Sequence, residues 1–233
     1  MTLLPPSRLL WAAEFPRALG TAALLVRAWP GLQAMPRGDG RPVMILPGLF
    51  NSDRANVVMR RYLIRLGYRA EGWGLGRNLG VRAIGADGER LFDRIRALHL
   101  ETDQPVTLIG ISLGGIMARL AAHRLGGAVR EVVTISSPYA GHPRATTVWR
   151  AFELLSGERI DSDRVTAQRA EVLQPLPVPS TAIWSRSDGL VNGLICRAPD
   201  EPGCQAIEVR SGHIWVQMRP EVLRTIAQVL ATA

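Results

Sequence analysis

Short apolar runs alternate along this chain with longer stretches whose apolar positions recur every three or four residues. Pro42 to Leu46 is wholly apolar and Val106 to Ile109 nearly so, the pattern of strands buried on both faces of a parallel sheet. Tyr68 to Trp73, Arg130 to Ser136, Thr181 to Trp184 and Ala206 to Val209 read as four further strands. Between them the spacing predicts helices over Asn56 to Leu66 (closed by Gly67), Asp87 to Leu100 (on Leu91, Ile95 and Leu98), Ile116 to Leu125 and Pro220 to Leu230. Strand–helix alternation of this kind predicts an α/β domain: a mostly parallel, doubly wound sheet with helices on both faces.

Two regions depart from the alternation. From Ala145 to Leu173 come two helical pieces, Thr147 to Leu155 and Ser162 to Leu173, split by Ser156-Gly157 and ended by Pro175, Pro177 and Pro179. An insertion of two helices between strands predicts a small helical cap, at about 143–178. The first 35 residues are apolar and interrupted by Pro16 and Pro30, which predicts two helical pieces, Ser7 to Phe15 and Arg17 to Trp29. Residues 1–40 are therefore read as a helical lead-in and 41–233 as the α/β domain. No internal repeat or low-complexity segment interrupts either part.

A length of 233 residues with 47% hydrophobic and 21% charged residues suits one folded domain with a full core. The net charge is +8 and all 28 basic residues are Arg. They are spread along the chain, densest at Arg60, Arg61 and Arg65, rather than gathered with aromatics, so nucleic acid is not an expected partner. Solvated helix faces account for most of them. A weak contact of the N-terminal helices with an anionic membrane surface, through Trp11 and Trp29, stays open. The longest apolar candidate for a membrane span, Ala18 to Val26, stops at Arg27, short of the roughly 18 residues required. With no secretory pattern at the N-terminus, the default expectation is a cytoplasmic protein, with periplasmic and membrane-peripheral placement left open. Cys196 and Cys204 lack neighbours at metal-ligand spacing, and the sequence leaves a disulfide between them undecided.

The candidate chemistry sits at Gly110-Ile111-Ser112-Leu113-Gly114. A Gly-x-Ser-x-Gly string alone is weak, but this one follows the strand Val106 to Ile109 and precedes a helix. A sharp strand-to-helix turn strains the serine backbone, lifts its hydroxyl above the sheet and leaves room only for glycine on either side. With Gly115, the run resembles the nucleophile elbow of the α/β-hydrolase superfamily, in the form common among bacterial lipases and esterases. The resemblance spans nearly everything from Pro42 to the C-terminus.

In that superfamily the nucleophile is followed by an acid and then a histidine, which implies roles for two further residues. Asp188, in Ser187-Asp188-Gly189-Leu190-Val191, resembles the acid loop after a strand, and His213, in Ser211-Gly212-His213, stands where the superfamily places its base. His123 belongs to the helix after the elbow. His142 follows a strand and could line the pocket, but it precedes any plausible acid. Asp161 and Asp163 read as helix caps, Asp200 and Glu201 as solvated. The oxyanion donors implied are the amides of Leu113 and of Leu49, the latter in a turn that resembles the family's His-Gly turn but has Pro47 in place of His. That exchange bears on the side-chain support of the turn and not on the N–H itself. Gly72 to Asn78 resembles a segment of lipase-like relatives whose glycines imply tight packing near this turn, with a direct substrate contact by Arg77 or Asn78 left open.

The implied activity is carboxylic ester hydrolysis through an acyl-enzyme, on a small-molecule or lipid ester, with no cofactor and no metal. Phe50, Tyr139, Trp149 and Phe152, with Leu154 and Leu155, are the candidates for lining the substrate pocket. Two rivals stand beside it: acyl transfer or thioester cleavage by the same residues, and a catalytically silent binding protein on the same fold.

Overall fold

The computed structural model describes residues 3–232; residues 1, 2 and 233, at the ends of the two proposed domain ranges, lie outside it. Six strands build one sheet: β1 (Pro42–Leu46), β2 (Arg69–Gly72), β3 (Val106–Ile111), β4 (Val129–Ile135), β5 (Ser180–Trp184) and β6 (Cys204–Glu208). All neighbours run parallel, in the order β2-β1-β3-β4-β5-β6. The chain goes outward from β1 to the edge strand β2, then returns past β1 to β3. The order therefore reverses between β1 and β3, and loops leaving their C-terminal ends diverge into a crevice.

Every residue of β1 and β3 is buried. Successive side chains point to opposite faces, so β1 feeds two cores. Val43 and Ile45 join one with Met59 and Leu63 of α3 (Val57–Leu66) and Leu223 and Ile226 of α9 (Pro220–Thr232). Met44 and Leu46 join the other with Leu91 and Ile95 of α5 (Glu89–Thr102) and Met117 and Ala121 of α6 (Leu113–Leu125). This is the doubly wound α/β arrangement expected from the apolar pattern. Gly67 ends α3 at φ 105°, the left-handed conformation that suits glycine. A short helix, α4 (Val81–Ile84), escaped the sequence pattern because one turn is too short to show periodicity.

Between β4 and β5 stand α7 (Trp149–Ser156) and α8 (Asp163–Leu173), with α8 against α6. The cap of α8 is Ser162, whose Oγ accepts the N–H of Val165 at 3.3 Å; Asp161, expected as a cap, instead pairs with Arg144. The N-terminal residues form α1 (Arg8–Ala12) and α2 (Glu14–Gln33). The break falls at Ala13, and neither proline ends a helix as expected. Pro16 occupies the first turn of α2, where an N–H has no intrahelical acceptor. Pro30 lies near the other end on an exposed side, where the lost bond is tolerated. α2 packs along α9, and Trp29 meets Tyr62 of α3 with ring centroids 6.1 Å apart, so this tryptophan helps cover the core rather than facing outward. Trp11, Phe15, Leu19 and Val26 are exposed. Among the described residues no helix is long and apolar enough to cross a membrane.

Candidate active site

Ser112 links β3 to α6 at φ 51°, ψ −118°, a conformation that costs a non-glycine residue about 1–3 kcal/mol and persists only where the surroundings enforce it. Its N–H donates to Ile135 O at 2.8 Å, tying the turn to β4. The flanking glycines are steric necessities: a Cβ on Gly110 would fall 2.4 Å from Gly114 O, and one on Gly114 would fall 2.4 Å from Leu46 O. The second contact shows how closely the β1 loop approaches the turn. Ser112 is 9% exposed.

Asp188 and His213 come from the loops after β5 and β6. His213 Nδ1 lies 2.7 Å from Asp188 Oδ2, a length typical of a charge-assisted bond. Asp188 is 1% exposed, and its Oδ1 accepts the N–H groups of Leu190 and Val191 at 2.9 and 2.8 Å, so the carboxylate is fixed from both sides. Ser185 stitches the two loops together: its Oγ accepts the N–H of Ser187 at 3.1 Å and of Ser211 at 3.2 Å. Burial, the largest influence on the imidazole, disfavours its charged form, but the charge and hydrogen bond of Asp188, aided by the charge of Glu14, outweigh it and raise the His213 pKa above its usual value. With Asp188 on Nδ1, Nε2 is left free to accept a proton.

The loop after β1, Pro47 to Phe50, lies against the serine turn; a Cβ on Gly48 would stand 3.3 Å from Ser112 Cβ. Asn51 N–H donates to Gly48 O at 3.1 Å, and Phe50 takes φ 65°. Side-chain support for this turn comes from Asn78. Fully buried, Asn78 donates from Nδ2 to Pro47 O at 2.7 Å, accepts the N–H of Gly80 on Oδ1 at 3.1 Å, and accepts the Phe50 N–H on its own carbonyl at 2.7 Å. Asp53 braces the same segment by accepting the N–H groups of Trp73 and Gly74 at 3.0 and 3.1 Å. Asn78 therefore acts on the turn from inside the fold. Arg77 stacks over Phe50, its Cζ 4.6 Å from the ring centroid.

Two cavities meet at Ser112, sharing Leu49 and Val148 as walls. One, about 110 Å³, lies under the cap between Leu113, Ile116, Trp149, Phe152, Ile160 and Val165 and is mostly apolar. The other, about 700 Å³, is a groove past Phe50, Arg54, His213, Ile214 and Trp215. Leu49 and Leu113 thus both border the serine, and Leu113, as the first residue of α6, carries an amide with no intrahelical acceptor. Among the described residues no group of three or more His, Cys, Asp or Glu is placed to hold a metal ion.

Neither a protein-family model nor a curated protein matches the chain by sequence. Solved structures do match it in three dimensions. A metagenome-derived lipolytic enzyme superposes with a TM-score of 0.63 at 16% identity, over 85% of this chain and 96% of its own. A monoacylglycerol lipase of Paleococcus ferrophilus gives 0.60 at 14% identity over 85% and 96%, and a Bacillus licheniformis lipase in its mature form gives 0.59 at 16% over 84% and 93%. The chain has the α/β-hydrolase fold.

On this α/β-hydrolase frame several sequence-based expectations need correction. Tyr139, expected at the pocket mouth, is 3% exposed and lines neither cavity; its hydroxyl donates to Glu201 Oε2 at 3.0 Å. Glu201, expected to be solvated, is buried with Arg119, whose Nη2 donates to Glu201 Oε1 at 2.8 Å and to Gln174 O at 2.8 Å. This network straps α6 to the end of the cap. His142 stands on the cap side, 3.7 Å from Asp161, and His123 lies on α6. Cys196 and Cys204 are free thiols, and burial pushes the Cys196 thiol well up. Of the cap wall, Ile160 in the turn between α7 and α8 and Val165 of α8 carry no sequence signal of their own, because an inward-facing apolar residue looks the same over a substrate as over a core.

Proposed function

We propose that the protein is a serine hydrolase of carboxylic esters, with Ser112 as nucleophile, His213 as general base and acid, and Asp188 orienting the imidazole. The observation that carries this reading is the 2.7 Å bond between His213 and Asp188, with His213 bordering the same groove as a strained Ser112. Strain of this kind is maintained where a serine must be presented rather than packed.

Ser112 Oγ attacks the ester carbonyl carbon while His213 Nε2 takes its proton. Negative charge develops on the carbonyl oxygen, and the amides of Leu49 and Leu113 stabilise it. The C–O bond to the alcohol then breaks as His213 returns the proton to the leaving oxygen. Water, deprotonated by His213, attacks the acyl-enzyme, and the carboxylic acid departs with Ser112 restored. Because His213 must reach the leaving oxygen, the alcohol portion belongs in the groove that His213 lines. The acyl portion then falls in the apolar cavity under the cap, of about 110 Å³, which favours short acyl chains. Trp149 and Phe152 contact the acyl group and Phe50 the alcohol portion.

Replacing Ser112→Ala and measuring p-nitrophenyl ester cleavage tests the assignment. Cleavage falls to background while the melting transition is kept; undiminished cleavage by a folded variant refutes it. Adding competing alcohols or thiols and analysing the products separates hydrolysis from acyl transfer.

A further inference from the structure

α2 begins beside the loops that carry Asp188 and His213. Its first residue, Glu14, is only 2% exposed, although a glutamate at a helix start normally points to water. Glu14 Oε1 accepts the N–H of Gly189 at 2.6 Å, and its carboxylate accepts the N–H of His213 at 2.9 Å on Oε1 and 2.8 Å on Oε2. Oε2 also accepts the N–H of Ile214 at 2.8 Å. Three backbone donors from two loops converge on one carboxylate.

Both loops are shaped to admit it. A Cβ on Gly212 would fall 2.7 Å from Glu14 Oε2, and one on Gly189 would fall 2.4 Å from Leu10 O and 2.9 Å from Glu14 Cγ. Arg17, one turn further along α2, donates from Nη1 to Ser187 O at 2.7 Å and grips the acid loop on the other side of Asp188. A buried carboxylate is costly unless its lone pairs are satisfied, and hydrogen bonds to a charged group are the ones that offset that cost best. Three such bonds make the buried anion tenable only while both loops hold their present positions.

We propose that Glu14 is a positioning residue for the reaction, its carboxylate locking the Asp188 loop to the His213 loop from a helix outside the sheet-and-crossover pattern. The inference rests on the reading of Ser112, His213 and Asp188 given above. The anion also acts by charge. His213 is faced by Asp188 after β5 and by Glu14 of α2; Arg17 is bound to Ser187 O, Arg54 lines the same groove, and Arg219 and Glu221 at the start of α9 are anchored to Thr21 and to the Arg210 N–H. Among these, Asp188 and then Glu14 favour the imidazolium form, which the reaction passes through when His213 holds the serine proton.

The test compares Glu14→Gln and Glu14→Asp with wild type in the full chain: kcat and KM for a p-nitrophenyl ester against pH, thermal melts, and titration of the His213 ring by NMR. In Glu14→Gln the remaining oxygen can still accept from Gly189 and His213, but the negative charge is gone. The NH2 that replaces Oε2 faces the Ile214 N–H and cannot accept from it. We expect kcat to fall by about tenfold or more with KM within about twofold, since a small misplacement of reacting groups acts mainly on the transition state. The acid limb of the profile moves to lower pH at the same time. Glu14→Asp keeps the charge, leaves the acid limb where it is and recovers part of kcat. A folded Glu14→Gln variant with wild-type kcat overturns the proposal, and so does one that loses kcat and melting temperature with its acid limb unmoved. Should Glu14→Gln not fold, Glu14→Asp decides: lowered kcat at unchanged KM supports the proposal, and wild-type kcat overturns it. If the wild type itself cleaves no ester, the hydrolase reading fails separately, and the NMR titration still tests the clamp. A downward shift of the His213 midpoint in Glu14→Gln supports the clamp, and an unchanged midpoint overturns it.

Discussion

The side-chain amide of Asn78 donates to the main-chain carbonyl of Pro47 at 2.7 Å, from a position with no exposure to solvent. The turn that carries the Leu49 amide is thereby held from beneath by a residue far along the chain. Asn78→Ala leaves the Pro47 carbonyl and the Gly80 amide unpaired in the interior, at about 1–3 kcal/mol in stability. In the proposed mechanism a slackened oxyanion turn lowers kcat by about tenfold to a hundredfold with little change in KM. Denaturant melts and steady-state kinetics on the same variant check both numbers; a destabilised variant with wild-type kcat separates the turn from the chemistry.

In the proposed mechanism the pH dependence of activity follows from His213. Its pKa is raised above the ordinary 6.5 chiefly by Asp188, working against burial, so half-maximal kcat/KM lies above pH 6.5 and activity falls as the pH drops through the raised value. The stability contribution has the opposite sense: the protonated, paired His213 stabilises the fold fully below the unfolded value near 6.5, and that contribution is lost as pH rises through the folded one. Activity therefore increases over the interval in which this stabilisation disappears. Asp188→Asn moves the acid limb to lower pH and lowers kcat on the order of a thousandfold or more. A pH–rate profile with an unmoved limb speaks against Asp188 as the partner.

Arg119 and Glu201 form a buried ion pair with side chains 1% and 2% exposed. Glu201→Leu leaves the Arg119 charge uncompensated and costs about 3–5 kcal/mol, a melting-temperature drop of roughly 6–20 °C for a chain of this size. Arg119→Met combined with Glu201→Leu recovers part of that loss, because no unpaired charge is left buried, while the Val172 and Gln174 carbonyls and the Tyr139 hydroxyl still lose their partners. A melt of Glu201→Leu within two degrees of wild type, taking about 2–4 °C per kcal/mol, shows the pair to be expendable.

In the proposed mechanism acyl-chain preference is set by the cavity under the cap, of about 110 Å³, with Trp149 and Phe152 among its walls. Phe152→Ala enlarges it and shifts the optimum of a p-nitrophenyl ester series toward longer chains. The truncation costs about 3–5 kcal/mol if the site cannot collapse, and less at this half-buried position. If chain preference instead responds to truncation of Trp215 in the groove and not to Phe152→Ala, acyl and alcohol sides are exchanged.

The sheet was legible in the sequence because its signals are local. Pro42 to Leu46 is apolar at every position, Gly110 and Gly114 flank a serine between a strand and a helix, and Gly67 closes a helix. Local periodicity and steric demand state themselves within a few residues. The prolines misled for the same reason: their effect depends on place within a turn, and both Pro16 and Pro30 fall where a helix tolerates them.

By itself, then, the sequence determined the alternation of strands and helices, the strained serine turn, and the chain order of Ser112, Asp188 and His213. Tertiary structure alone decided which polar groups serve which loops. Asn78 finds Pro47 across 31 residues, Tyr139 finds Glu201 across 62, and Glu14 finds Gly189 across 175. No spacing rule links such pairs. A buried polar side chain must find whatever donors or acceptors the packed fold brings within about 3 Å, and which ones those are is known only once the layers are assembled.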